Sequence, residues 1–135
     1  MNLLSDERKK DAKICELLGD EVWNAFFGKH QRLRDVQRDV IPEIHKGTDL
    51  LISAATATGK TEAACAPLVS RNKKNYKRDW TMLYVCPTRA LVNDLYYRLK
   101  KAMQSINLSI RRRTGDHGTR LKEYQHILIT TPESF

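Results

Sequence analysis

Helix-spaced apolar positions dominate the first third of the chain. Ile14, Leu17 and Leu18 share one face of a segment over 5–18. It opens on Ser5-Asp6-Glu7, a hydroxyl cap followed by acids in the first turn, and closes on Gly19. A second short helix is predicted over 21–27, ended by Gly28. Val36, Val40, Ile41 and Ile44 mark a third over 34–45. Gly47 is its stop, and Pro42 bends it or sits in its final turns.

The period then changes. Leu50-Leu51-Ile52-Ser53 is a short apolar run behind Gly47-Thr48-Asp49, which predicts a buried strand. An Ala-rich helix follows over 61–72, then a polar, basic loop over 71–79. Residues 80–86 are apolar and end at Pro87, a second strand. A helix over 90–105 spaces Leu91, Leu95, Leu99 and Met103 for one buried face. A weaker strand over 108–112, a loop punctuated by Gly115 and Gly118, a short helix over 119–124 and a strand over 126–130 complete the pattern. Thr131-Pro132-Glu133-Ser134-Phe135 reads as a helix just starting. Strands alternating with helices predict an α/β domain with a parallel sheet.

Composition excludes some classes and adds a partner. With 41% hydrophobic residues over 135 positions the chain is not disordered by composition, and its length suits one domain. No window approaches 18 consecutive apolar residues, so no membrane span is expected. The charged start, MNLLSDERKK, lacks the apolar stretch of a signal peptide, and a cytoplasmic location is expected. Cys15, Cys65 and Cys86 are odd in number and far apart, which argues for buried thiols over disulfides or zinc. His30, His45, His117 and His126 show no ligand spacing. The net charge is +8. Residues 1–66 hold 10 basic and 11 acidic side chains, whereas residues 67–135 hold 14 and 5. The excess lies wholly in the second half, where Arg111-Arg112-Arg113 contributes to it. That asymmetry points to a polyanion, nucleic acid above all, with plain solvated charge as the alternative.

The chemistry concentrates at Ala54-Ala55-Thr56-Ala57-Thr58-Gly59-Lys60-Thr61, between a predicted strand and a predicted helix. In that setting helix N-terminal N–H groups and the helix dipole favour a phosphate. Gly59 permits close backbone approach, Lys60 reaches the β- and γ-phosphates, and the Thr61 hydroxyl can hold Mg²⁺. The strict Gly-x-x-x-x-Gly-Lys-Ser/Thr pattern fails at its first position, which is Ala54.

These residues resemble motif I of the DEAD/DEAH-box (superfamily 2) helicases, Ala-x-Thr-Gly-x-Gly-Lys-Thr. Ala54, Thr56, Gly59, Lys60 and Thr61 match, and Ala57 stands where that pattern has its middle glycine. Arg34-Asp35-Val36-Gln37 is similar to the Q motif, with Gln37 lying 23 residues before Lys60. A glutamine amide can pair with adenine N6 and N7 together. Phe27, ten residues before Gln37, could stack on or pack near the base, although an aromatic there is more often core. Pro87-Thr88-Arg89-Ala90-Leu91 is similar to motif Ia and Thr131-Pro132-Glu133-Ser134 to motif Ib. Arg113-Thr114-Gly115-Asp116 resembles the Gly-Asp loop of the Lhr-like branch.

The resemblance covers residues 25–135 and implies a P-loop NTPase (RecA-like) three-layer α/β fold with a mostly parallel sheet. It leaves residues 1–24 as an N-terminal helical extension. It implies ATP and Mg²⁺ as cofactors, held by Gln37, Thr56, Ala57, Thr58, Gly59, Lys60 and Thr61. Lys60 and Thr61 serve the chemistry, and Thr61 is the metal ligand. It implies a DNA or RNA backbone track along Pro87, Thr88, Arg89, Gly115, Asp116, Thr131, Pro132 and Glu133. No Asp-Glu box follows an apolar strand in this sequence. The expectation is therefore a truncated domain of a parent helicase, inactive as an ATPase without the parent's C-terminal part. In the family sheet, further strands separate the motif I strand from the motif Ia strand. The alternatives are a non-catalytic nucleotide or nucleic-acid binding module, and a P-loop kinase or GTPase relative.

Overall fold

Asn2, rather than Ser5, caps the first helix. Its side-chain oxygen accepts from Leu4 N, so α1 covers Leu3–Leu18 and begins two residues before the expected hydroxyl cap. Gly19, at φ +86°, ends it, and α2 follows at once over Asp20–Phe27. α3 spans Asp35–Lys46 and stops at Gly47, whose φ of +96° is left-handed. Pro42 lies inside α3, in its later turns. α4 spans Lys60–Asn72. The computed structural model describes residues 2–30, 32–72, 82–115 and 126–135, in two compact units, Met1–Lys73 and Lys74–Phe135.

In the first unit α3 packs most closely on α4, and α1 touches α2, α3 and α4. The core is Ile14, Leu18, Val22, Phe27, Leu33, Val40 and Ile41 against Ala63, Cys65, Ala66 and Val69. The small side chains of α4 let α3 approach, which is what its Ala-rich sequence permits. Ser70 Oγ donates to Leu18 O at 2.9 Å, so α4 also satisfies a carbonyl at the end of α1.

The strand expected over 50–53 does not form. Leu51 is 97% exposed and the segment is irregular. An apolar run becomes a strand only where neighbouring backbone supplies ladder hydrogen bonds. Among the described residues the elements of the first unit are all helices, so this run meets no strand there.

The second unit has the expected parallel sheet. β1 covers Met82–Val85, β2 Ile110–Arg113 and β3 Ile127–Thr130, in the order β1-β3-β2. Val85, Thr130 and Arg113 stand in register at its C-terminal edge. β3 is central and buried throughout, which fits its unbroken Ile-Leu-Ile run. Between β1 and β2 runs α5, Arg89–Ser105, packed on β2 and β3. Its buried face is Val92, Leu95, Leu99 and Met103, and Leu91 is exposed. Steps of four drift by about 40° each on a helix of 3.6 residues per turn, so a row begun at Leu91 rotates away from Met103. Val92 lies nearly in line with it. The loop over 71–79 beyond residue 72, the first two residues of the 80–86 strand and the helix over 119–124 lie outside the described residues.

Candidate functional sites

Two backbone conformations shape the turn into α4. Gly59 has φ +82° and Ala57 φ +60°, both left-handed. A Cβ added at Gly59 would lie 2.3 Å from Gln37 Nε2, so the Gln37 amide would have to move aside. Ala57 therefore keeps a glycine-like path while carrying a methyl group, which costs an L-residue roughly 1 kcal/mol.

The turn is tied internally and from α3. Thr58 Oγ1 donates to Ala55 O at 2.7 Å, and Lys60 Nζ donates to Ala54 O at 2.6 Å. From α3, Arg34 NH1 donates to Ala57 O and Gln37 Nε2 donates to Gly59 O at 3.2 Å. Gln37 Oε1 accepts from Arg34 N at 2.9 Å, which satisfies the cap residue's N–H at the head of α3. The Q-motif residues thus hold two carbonyls of the loop, one on either side of Thr58. Thr56 is exposed on it, and Thr61 sits half-buried in the first turn of α4.

These atoms fit an anion. The first-turn N–H groups of α4 and the positive end of its dipole meet the loop. The Lys60 ammonium is already turned onto the loop. Gln37 is buried, and its amide keeps one N–H and one lone pair beyond the bonds described. Phe27 does not reach the site. It is buried against Trp23 and Phe26, at ring separations of 5.3 and 6.3 Å, and belongs to the core. Among the described residues no group of three His, Cys, Asp or Glu could hold a metal ion. The hydroxyl of Thr61 fits as one oxygen ligand of a hydrated Mg²⁺.

Sequence reasoning missed what supports α3. Asp11 of α1 is buried, and its carboxylate accepts from Arg38 Nε at 2.7 Å, Arg38 NH2 at 3.3 Å and Leu33 N at 3.2 Å. Arg38 NH1 also donates to Asp35 at 2.9 Å, and Glu7 lies 3.8 Å from NH2. The hydrogen bond to Asp11 is the first cause holding the Arg38 guanidinium above its ordinary pKa. In Lys9-Lys10-Asp11-Ala12-Lys13 nothing separates Asp11 from a solvated helix face.

In the second unit the parallel strands deliver their ends to one edge. Pro87, Thr88 and Arg89 follow β1 and are exposed, Gly115 follows β2, and Thr131, Pro132 and Glu133 follow β3. Thr88 Oγ1 accepts from Leu91 N at 3.3 Å and caps α5. A Cβ on Gly115 would lie 2.8 Å from Arg89 NH2, so these two positions are neighbours. Thr131 is buried, with its hydroxyl 3.2 Å from Ser134 Oγ, and opens a short 3-10 turn over Pro132–Ser134. Pro132 and Glu133 are exposed, and Asp116 lies outside the described residues. Arg112 does not extend this edge. Its guanidinium donates to Asn93 and Tyr97 of α5 and lies over the Tyr96 and Tyr97 rings at 4.7 and 5.0 Å. Cys65 and Cys86 are buried as expected, Cys15 only half so. No helix among the described residues is long and apolar enough to cross a membrane.

A glycine-like turn at the head of one helix, and a parallel sheet with helix-forming returns, fit an α/β P-loop protein of RecA-like fold. The DEAD/DEAH box helicase family model matches residues 34–135, and the chain belongs to that family. It is 36% identical to ATP-dependent helicase Lhr-Core protein 2 of Thermococcus barophilus, over 92% of this chain and 17% of that protein. It is 34% identical to ATP-dependent helicase Lhr-Core of Methanocaldococcus jannaschii, again over 92% and 17%. The chain thus spans about a sixth of the length of these curated relatives. Among solved structures the DUF1998 helicase MrfA bound to DNA and AMPPNP is similar in fold. Its TM-score is 0.74, at 22% identity over 87% of this chain and 17% of that one. A hypothetical ATP-dependent RNA helicase from Sulfolobus tokodaii gives 0.69, at 20% identity over 86% and 34%.

Proposed function

We propose that this chain is the ATP-binding and nucleic-acid-binding portion of an ATP-dependent DNA or RNA helicase. The observation that carries the reading is the left-handed turn at Ala57 and Gly59, closed by Lys60 and braced by Gln37, inside the span the family model matches. Gln37 reads adenine. Gly59 and the first turn of α4 take the phosphates with Lys60, and Thr61 supplies an oxygen to Mg²⁺. In that role the metal would neutralise charge on the β- and γ-phosphates. Lys60 exchanges the Ala54 carbonyl for a phosphate oxygen when nucleotide enters. Pro87, Thr88, Arg89, Gly115, Thr131, Pro132 and Glu133 follow the nucleic-acid backbone at the C-terminal edge of the sheet, where strand ends in open α/β folds receive ligands, and Asp116, outside the described residues, is assigned to the same track.

A second reading is a module that binds nucleotide and nucleic acid without turnover. Both readings require a phosphate site at Lys60. ATP binding to the chain and to its Lys60→Ala variant, followed by equilibrium dialysis, tests that requirement. Loss of the charge-assisted contact lowers affinity by roughly ten-fold or more. Unchanged affinity removes the site. Turnover stimulated by single-stranded DNA or RNA, measured on this chain beside a longer protein that contains it, then separates the readings: none is expected of this chain alone, and turnover by the longer protein is expected of the first reading only.

A further inference from the structure

We propose that Asp11, in the N-terminal helix outside the family match, is a positioning residue for adenine recognition, acting through Arg38 and the Leu33 backbone on Gln37. The inference rests on the reading of Gln37 as the adenine contact.

The geometry is specific. Counting from the cap Arg34, Gln37 is the third residue of α3 and Arg38 the fourth, while Leu33 is the residue before the cap. Those two flanking positions are commonly joined by an apolar contact that fixes how the chain enters a helix. Here a carboxylate from another helix joins them. One oxygen of Asp11 accepts from Arg38 Nε at 2.7 Å, and the other from Leu33 N at 3.2 Å and Arg38 NH2 at 3.3 Å. Between the two anchored positions stand Arg34 and Gln37, whose side chains hold the Ala57 and Gly59 carbonyls. Asp11 therefore fixes the first turn of α3 on both sides of the residues that brace the phosphate turn.

The environment strengthens the tie. The Asp11 and Arg38 side chains are 8% and 9% exposed, so little water competes for the pair. Arg38 presents a planar fork that a lysine cannot reproduce. Glu7 and Asp35 face the same guanidinium, and Asp11 is the member that also holds backbone. Asp11 touches neither the loop nor any position assigned to nucleotide, so its influence reaches the base only by setting the Gln37 amide. Phosphate binding depends first on Gly59, Lys60 and the head of α4, and Asp11 reaches it only through the Arg34 and Gln37 contacts to the turn, so adenine selection is the more sensitive readout.

That separation gives the test. Affinities of the chain for ATP, GTP and inorganic tripolyphosphate are measured for the native sequence and for Asp11→Asn, Arg38→Lys and Gln37→Ala. A thermal melt of each variant sets a temperature at which it is folded. Asp11→Asn and Arg38→Lys are expected to lower the preference for ATP over GTP by roughly three- to ten-fold, the value of a single hydrogen bond. Tripolyphosphate affinity is expected to stay within about two-fold. If both variants lose all three ligands in equal measure, the pair is merely structural and the inference fails. If Gln37→Ala removes the preference while Asp11→Asn and Arg38→Lys keep it, the inference fails and the adenine reading stands. If Gln37→Ala itself leaves the preference intact, the adenine reading falls first.

Discussion

Gln37 donates its side-chain amide to the carbonyl of Gly59 at 3.2 Å, and a Cβ on Gly59 would push that amide aside. A side chain from one helix is thus packed directly on the backbone of the turn that opens another. Gly59 is fixed twice over, by its positive φ and by the close approach of Gln37. Gly59→Ala is expected to displace the Gln37 amide and to lower nucleotide affinity and stability together, the latter by more than about 1 kcal/mol. Urea denaturation and ATP titration of the variant measure both. A Gly59→Ala chain as stable as the native one would show that α3 does not brace the turn.

Ala57 invites the opposite change. It carries a methyl group at φ +60°, where glycine bears no penalty. Ala57→Gly relieves about 1 kcal/mol of backbone strain and returns part of it as unfolded-state entropy, leaving a net gain of roughly 0.5 kcal/mol. Ala57→Val moves the other way by more than about 1 kcal/mol, because a β-branched residue is a poor fit to this region. The order Gly, Ala, Val in urea midpoint is the expected result, and Val at or above Ala contradicts it.

The buried pair between Asp11 and Arg38 has an asymmetric energetic signature. Arg38→Met leaves the Asp11 carboxylate buried without its guanidinium and is expected to lower stability by about 3 kcal/mol. Asp11→Leu combined with Arg38→Met removes both charges and recovers most of that loss. A double variant no better than the single one shows that Leu33 N, which also bonds Asp11, carries the larger share.

How legible all this was depends on how local each cause is. Helix periodicity and glycine stops are written within a few residues, so α2, α3 and α4 stand within one residue of their expected limits. The three strands of the second unit were readable in place and with looser limits, β2 starting two residues later than the weak run over 108–112. Leu50-Leu51-Ile52-Ser53 has the same signature and forms no strand, because a strand depends on partners that its own residues do not encode. The left-handed turn before α4 was marked by Gly59, and the resemblance to motif I placed a glycine position at Ala57, where the backbone has positive φ. Asp11 was not, since its partner Arg38 lies 27 residues away and both look like surface charge in isolation.

His45 gives the first unit a dependence on pH. Burial first, and the nearby Arg71 charge second, lower its pKa from the ordinary value, and Ser70 Oγ lies 3.4 Å from its Nε2. The unfolded chain therefore takes up a proton at higher pH than the folded one. Stability is full above the ordinary histidine value near 6.5 and falls as the pH drops through it. His45→Gln is expected to flatten the change in urea midpoint between about pH 7.5 and 5.5. A slope unchanged in the variant assigns the effect to other groups.

At the sheet edge of the second unit the expected signature is electrostatic. Arg89 opens α5 directly after the Thr88 cap and is exposed beside Gly115. If Arg89 neutralises one phosphate, Arg89→Ala reduces the slope of log affinity against log salt by about 0.7 for a single strand and about 0.9 for a duplex. The loss is the same for any base sequence, because a phosphate contact carries no sequence information. Thr88→Ala acts differently. It removes the hydroxyl that accepts from Leu91 N, lowers stability by about 1 kcal/mol and leaves the salt slope within error if its role is capping alone. Fluorescence anisotropy of a labelled oligonucleotide over a salt series, run on both variants, separates a residue that holds the helix from one that holds the phosphate.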